Sequence, residues 1–226
     1  MSLPEPRKGA AALVTGASAG IGEAIARELA GRGYDLIIVA RRKARLDALA
    51  KELSGEHGVE VETLGCDLGS ATSRARLPKR VESLGLDVDV LVNNAGFATG
   101  GRFEESDPER ELEQVRVLCE APVALASAFL PGMVERGSGA ILTVASTAAF
   151  QPLPYSAGYS AAKAHALAFS EALHGEVSGR GVTVTALCPG PVKTEFWEVA
   201  GEQPIEATVP DLVWVTPEQC AKEAVD

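Results

Sequence analysis

No two of the four cysteines, Cys66, Cys119, Cys188 and Cys220, stand in a CxxC pair, and no histidine cluster accompanies them. A zinc ligand set and a disulfide framework both lack their sequence signature, so no metal is expected. The thiols read as small buried apolar groups in a reducing compartment. Cations are in the minority: 21 Lys and Arg face 31 Asp and Glu, a formal net charge of −10 at pH 7. Nucleic acid is bound through clustered cations, so DNA or RNA is not an expected partner. No apolar run is long enough to cross a bilayer, and Met1–Gly9 has no apolar leader core, so the expectation is a cytoplasmic protein with no membrane partner. No internal repeat or low-complexity tract interrupts the 226 residues.

What is present alternates between two patterns. Strands are expected at Ala10–Thr15, Asp35–Ala40, Val59–Leu64, Val88–Val92, Ala140–Ala145 and Val182–Leu187. Continuous Val/Ile/Leu runs such as Asp35–Ala40 (DLIIVA) do not alternate with polar residues, which implies strands covered on both faces. Helical spacing fills Ile21–Gly31, Arg42–Leu53, Ser70–Leu84 (interrupted by Pro78), Pro108–Val134 (kinked or broken at Pro122) and Ser156–Ser178. Strands joined through helices predict right-handed crossovers and one doubly wound parallel α/β sheet of the Rossmann type. Residues 1–9 are expected to be flexible, and 10–226 to form a single domain. Pro189–Thr216 is long, proline-bearing and aperiodic, and holds both tryptophans, which suggests a lid or substrate loop.

The turn Gly16-Ala17-Ser18-Ala19-Gly20-Ile21-Gly22 joins the first strand to the first helix. Glycines allow a tight turn and close backbone approach, and a helix start offers unpaired N–H groups to a pyrophosphate. No Gly-Lys-Ser/Thr follows, so a P-loop is excluded. The second strand ends in Ala40-Arg41-Arg42, without the acidic residue that would hold ribose hydroxyls and repel a 2′-phosphate. Arginine pairs bidentately with phosphate, which favours NADP(H) over NAD(H), with Arg41 as main contact and Arg42 as support. A solvated helix start is the plainer reading of the same pair.

Tyr159 and Lys163 stand four apart, one above the other on a helix. An ammonium one turn away is expected to lower the phenol's ordinary value of about 10 towards neutrality. Ser146 follows the fifth strand, on the sheet end where ligands of open α/β sheets bind.

As a set, these residues resemble the classical short-chain dehydrogenase/reductase family, from about Ala10 to about Trp197. The similar stretches are Thr15–Gly22, Cys66-Asp67-Leu68, Asn93-Asn94-Ala95-Gly96, the trio Ser146, Tyr159 and Lys163, and Pro189-Gly190-Pro191-Val192-Lys193-Thr194. The resemblance implies hydride exchange between a nicotinamide dinucleotide and a carbonyl or alcohol. It makes Tyr159 the general acid/base, Lys163 its tuner and ribose ligand, and Ser146 the group that orients the substrate oxygen. Asp67 and Leu68 would meet adenine (helix N-cap being the plainer role for Asp67). Asn93, Ala95 and Gly96 would line the adenosine ribose, and Pro189, Gly190, Val192 and Thr194 the nicotinamide side. Oligomerisation, as a homodimer or homotetramer, is implied in the same way.

Two departures accompany the resemblance. Leu118 stands where the family carries an asparagine that holds a proton-relaying water; Glu120 could substitute if the helix were shifted. The chain also stops after a helix start at Thr216-Pro217-Glu218, where the family continues into a last strand. Phe97, Phe150, Pro152, Tyr155, Pro191, Phe196 and Trp197 are expected pocket residues for an apolar substrate, and Lys193 or Arg102 would serve a charged one. The alternative to an active reductase is a weak or inactive NADP(H)-binding sensor, on account of Leu118. A third reading is another nucleotide-using class, such as a methyltransferase.

Overall fold

The computed structural model describes residues 3–196, 210 and 213–226. Six strands, β1 (Ala10–Thr15), β2 (Leu36–Ala40), β3 (Val61–Gly65), β4 (Asp87–Asn93), β5 (Gly139–Val144) and β6 (Val182–Leu187), form one parallel sheet in the order β3-β2-β1-β4-β5-β6. The helices are α1 (Gly20–Gly31), α2 (Lys43–His57), α3 (Ala71–Glu82), α4 (Pro108–Val115), α5 (Ala121–Arg136), α6 (Ala157–Val177) and α7 (Pro217–Val225).

The unalternating run of β2 follows from burial on both faces, whereas the edge strands β3 and β6 are only partly buried. In β2, Leu36 and Ile38 pack against Ile25 and Leu29 of α1 and Leu46 and Leu53 of α2. Ile37 and Val39 face the opposite layer, with Leu77 of α3, Leu125 of α5 and Leu173 of α6. Each such side chain contributes on the order of 2 kcal/mol, so substitution to alanine at Ile37 or Ile38 is costly. Glycine stops two helices: Gly58 ends α2 at φ 71°, and Gly137 ends α5 at φ 65°.

Four expectations change. Pro78 does not interrupt α3, which runs on through it. Pro122 does not break the helix after β4 either. A π turn, Arg116–Glu120, joins α4 to α5, with the Ala121 N–H bonded to Arg116 O. The reason is local: in α register Pro122 would lack its N–H to Leu118 O, and its ring would press on that carbonyl. The resulting run Pro108–Arg136 is long and apolar enough for a membrane span by length and composition, which the sequence reading does not anticipate. It packs Leu125, Ala126 and Met133 against the sheet. The lead-in expected to be flexible is tied down from Leu3 onward: Leu3 packs on the core, and Arg7 pairs with Asp87 at 2.7 Å and Asp89 at 2.6 Å.

At the chain's other end, α7 starts on a capping box between Thr216 and Gln219 and buries Ala221, Ala224 and Val225 against the α1 layer. The base of the 189–216 stretch is pinned, with Lys193 N to Val215 O at 3.2 Å and Val215 N to Pro191 O at 3.1 Å. Residues 197–209 of that stretch, and Trp197 with them, lie outside the described residues.

Candidate active site

The strands' carboxyl ends open on one cleft of about 440 Å3, at the point where the strand order reverses between β1 and β4. Along it lie Gly16, Ser18, Ala19, Gly20 and Ile21 after β1, Arg41 and Arg42 after β2, Asp67 and Leu68 after β3, and Ala95 and Gly96 after β4. Ser146 follows β5, Tyr159 and Lys163 come from α6, and Pro189, Gly190, Val192 and Thr194 follow β6.

The glycine turn is shaped for close approach. Gly16 and Gly20 adopt φ 69° and 59°, which side chains disfavour. A Cβ on Gly16 would meet Ala95 Cα at 2.8 Å. One on Gly22 would meet Gly16 O at 2.6 Å, so Gly22, which does not line the cleft, seats the helix against the turn. Thr15 Oγ1 donates to Val92 O at 3.0 Å and accepts from Asn94 N at 3.0 Å and Ala95 N at 3.1 Å, tying the ends of β1 and β4 together. α1 starts without a side-chain cap. A narrow backbone cradle before an uncapped helix start fits the pyrophosphate of a dinucleotide.

At the β2–β3 end, Arg41 pairs with Glu113 at 3.3 Å, and Arg42 donates to Ser18 Oγ at 3.0 and 3.1 Å. Asp67 lines the cleft and accepts from Gly69 N at 3.0 Å; the cap of α3 is Ser70, so the plainer N-cap role is not Asp67's. Asn93 departs from expectation. It is buried outside the cleft with neither amide atom bonded, while Asn94 lines the cleft and donates to Thr15 O at 2.8 Å. Successive side chains of an extended chain point to opposite sides, and Asn94 is one step past Asn93, the last residue of β4.

At the β5–α6 end the groups are dry. Ser146 Oγ accepts from Ala148 N at 3.1 Å, and its hydroxyl also reaches Tyr159. The Tyr159 ring sits 5.8 Å from the ring of Phe196. Lys163 is buried, donates to Val144 O at 2.7 Å, and holds its ammonium 5.7 Å from the Tyr159 ring centre. Burial pushes Tyr159 up to about 12, with the Ser146 hydrogen bond acting the other way. Burial pushes Lys163 down to about 8. Burial is thus the larger influence on the phenol, and the ammonium, 5.7 Å from the ring centre, is bonded to a backbone carbonyl.

Leu118 is buried in a small apolar cluster with Ala98, Ala148, Tyr159 and Ala162. A Cβ on Gly96 would meet its methyl at 2.7 Å. Glu120 does not substitute for an amide, because it turns to Arg74 on α3. Cys119, not Glu120, turns towards α6, its thiol 4.0 Å from Ala162 O. All four cysteines are free thiols, and no metal-binding group occurs among the described residues.

Of the expected pocket residues, Phe97, Pro191 and Phe196 line the cleft. Phe150 and Tyr155 do not: both are largely exposed, because the short 3-10 turn Thr147–Phe150 and the φ 66° at Tyr155 turn them outward. Pro152, Lys193 and Arg102 are also absent from the lining. Gln151, Leu153 and Ser156 line it without having been singled out, as do Glu113 and Glu195. The carboxylates carry no local signal, since their partners are far away in sequence.

The family model described as short chain dehydrogenase matches residues 10–204. A protein of Streptomyces coelicolor, provisionally named a ketoacyl reductase, is 37% identical over 93% of this chain and 87% of its own length. The human protein named inactive hydroxysteroid dehydrogenase-like protein 1 is 36% identical over 82% of the chain. The chain spans only 53% to 64% of the length of several such relatives. Among solved structures, a short-chain dehydrogenase from Sphingobium yanoikuyae in complex with NADPH superposes with a TM-score of 0.86 at 36% identity, over 94% of this chain and 82% of that one.

Proposed function

The chain belongs to the short-chain dehydrogenase/reductase family, and from that premise we propose that it is an NADP(H)-dependent oxidoreductase interconverting an apolar carbonyl and its alcohol. One observation carries this: Ser146, Tyr159 and Lys163 share a single cleft with the glycine turn and the Arg41–Arg42 pair. A bound reduced nicotinamide supplies the hydride. Gly16–Ile21 hold the pyrophosphate, and Arg41 and Arg42 take the 2′-phosphate. Asp67 and Leu68 border adenine, and Val192 and Thr194 the carboxamide. Lys163 holds the ribose beside it.

The proton step belongs to Tyr159. Held near 12, the phenol keeps its proton at neutral pH. A carbonyl oxygen that takes on negative charge becomes a stronger base than phenolate, so proton transfer from Tyr159 to it would run downhill. Ser146 donates to the same oxygen and orients it. In oxidation the phenolate must form first, which Ser146 and the Lys163 charge assist. Phe97, Leu153 and Phe196 give the pocket its apolar wall. We further propose a cytoplasmic homo-oligomer.

A second reading, an NADP(H)-binding protein with little turnover, draws on Leu118: a buried methyl beside Tyr159 cannot hold a relaying water. One experiment separates the two. Aldehydes and ketones are screened with NADPH and with NADH, following loss of nicotinamide absorbance. Turnover with NADPH, at least about tenfold preferred, is expected. NADPH binding without turnover of any member would establish the second reading, and preference for NADH would remove the arginine argument.

A further inference from the structure

The arginines after β2 already have carboxylate partners, and one of these comes from the far side of the cleft. Arg42 pairs with one oxygen of Glu195, and Arg45 holds the other at 3.0 Å. Ser18 on the glycine turn accepts from the same Arg42 guanidinium. Glu195 follows Thr194, whose methyl lies 3.1 Å from where a Cβ on Gly20 would be. The segment after β6 thus lies over the glycine turn and reaches the start of α2.

The start of α2 asks for an anion. The helix begins after Arg42, carries Lys43 and Arg45 at once, and has no acidic residue in its first turn. Positive side chains at the positive end of a helix dipole are unfavourable unless a negative group lies among them. Asp47, one turn on, takes Lys43; Glu195 is that group for Arg42 and Arg45, and the two arginines hold its carboxyl below the ordinary range.

We propose that Glu195 is the internal counter-ion of the 2′-phosphate seat: it and the phosphate are alternative partners of Arg42, and their exchange sets the strength of the preference for 2′-phosphorylated dinucleotides. The proposal rests on the NADP(H) reading above. A phosphate monoester brings nearly two charges and three acceptor oxygens against one charge and two oxygens, so it wins the exchange but must first break the Arg42–Glu195 pair. A plain ribose has no charge to exchange and leaves Glu195 on its arginines. Glu195 therefore lowers affinity for the phosphorylated ligand without touching the other.

The test is calorimetric titration of the full chain and of Glu195→Gln, with adenosine 2′,5′-bisphosphate and with 5′-AMP, at low salt. The pairs are partly exposed, so a modest effect is expected: the variant binds the bisphosphate about fivefold tighter and changes less than about twofold for 5′-AMP. Thermal melting checks that the near-isosteric variant folds. If the wild type prefers the bisphosphate and the variant binds it equally or more weakly, the counter-ion proposal falls and the NADP(H) reading stands. If the wild type binds both ligands equally, that reading falls, and the proposal with it.

Discussion

The two ends of the cleft work by opposite physics. At the β2 end, Arg41, Arg42 and Arg45 are partly exposed, and each has a carboxylate partner, Glu113 or Glu195. At the β5–α6 end, Tyr159 and Lys163 are buried, and among the described residues no carboxylate lines the cleft beside them. Charge pairing governs the first end and loss of water the second. An anion can be exchanged at a wet, paired site; a proton is held at a dry one. The difference matches what one ligand needs, a charged handle at one end and a guarded reaction at the other.

The largest effect is expected at the dry end. Tyr159→Phe should lower carbonyl reduction about a thousandfold while NADPH affinity, by titration, moves less than about threefold. Comparable losses in both would make Tyr159 a binding residue. Next is the buried ammonium. With Lys163 held near 8 against an ordinary 10.5, the unfolded chain binds more protons than the folded one between those values, so this residue's contribution to stability rises with pH across that window. Below pH 8 its burial penalty is full, on the order of 3 kcal/mol. Denaturant unfolding should find Lys163→Met gaining on the wild type most at pH 7 and losing most of that margin by pH 10. A margin independent of pH would mean that the lysine is not desolvated.

The wet end should respond less steeply. Arg41→Asp should weaken NADPH binding roughly thirtyfold and NADH binding less than about threefold, with the difference shrinking as salt rises. Equal losses would erase the distinction between the ends. The smallest effect is at the boundary. Leu118→Asn inserts an amide into an apolar cluster and should cost about 2 kcal/mol in melting or denaturant experiments, with no gain in turnover. A gain would favour the low-turnover reading.

The sequence shows most where the signal is local. β1 and β6 have the bounds read from their apolar runs, Ala10–Thr15 and Val182–Leu187. Six strands joined through helices were enough to predict the doubly wound sheet. The glycine turn and Tyr159–Lys163 are legible for the same reason, since turn and helix spacing are short-range. What was missed depends on tertiary context. Pro122 signals a break, but a π turn, Arg116–Glu120, takes up the proline and lets the helical run continue. Asn93 is the last residue of β4 and Asn94 the first beyond it, and which of them reaches the cleft depends on which side is covered. Phe150 and Tyr155 read as pocket residues by composition and point outward by backbone conformation. Glu195 meets Arg42 across more than 150 residues of chain, a distance no local pattern encodes.

The claim that both ends serve one ligand is tested most directly by a crystal structure with NADPH. The account predicts a single dinucleotide along the cleft, its 2′-phosphate on Arg41 and Arg42 and its nicotinamide ring beside Tyr159 and Lys163. A dinucleotide bound elsewhere, or Tyr159 and Lys163 turned away from that ring, would contradict it.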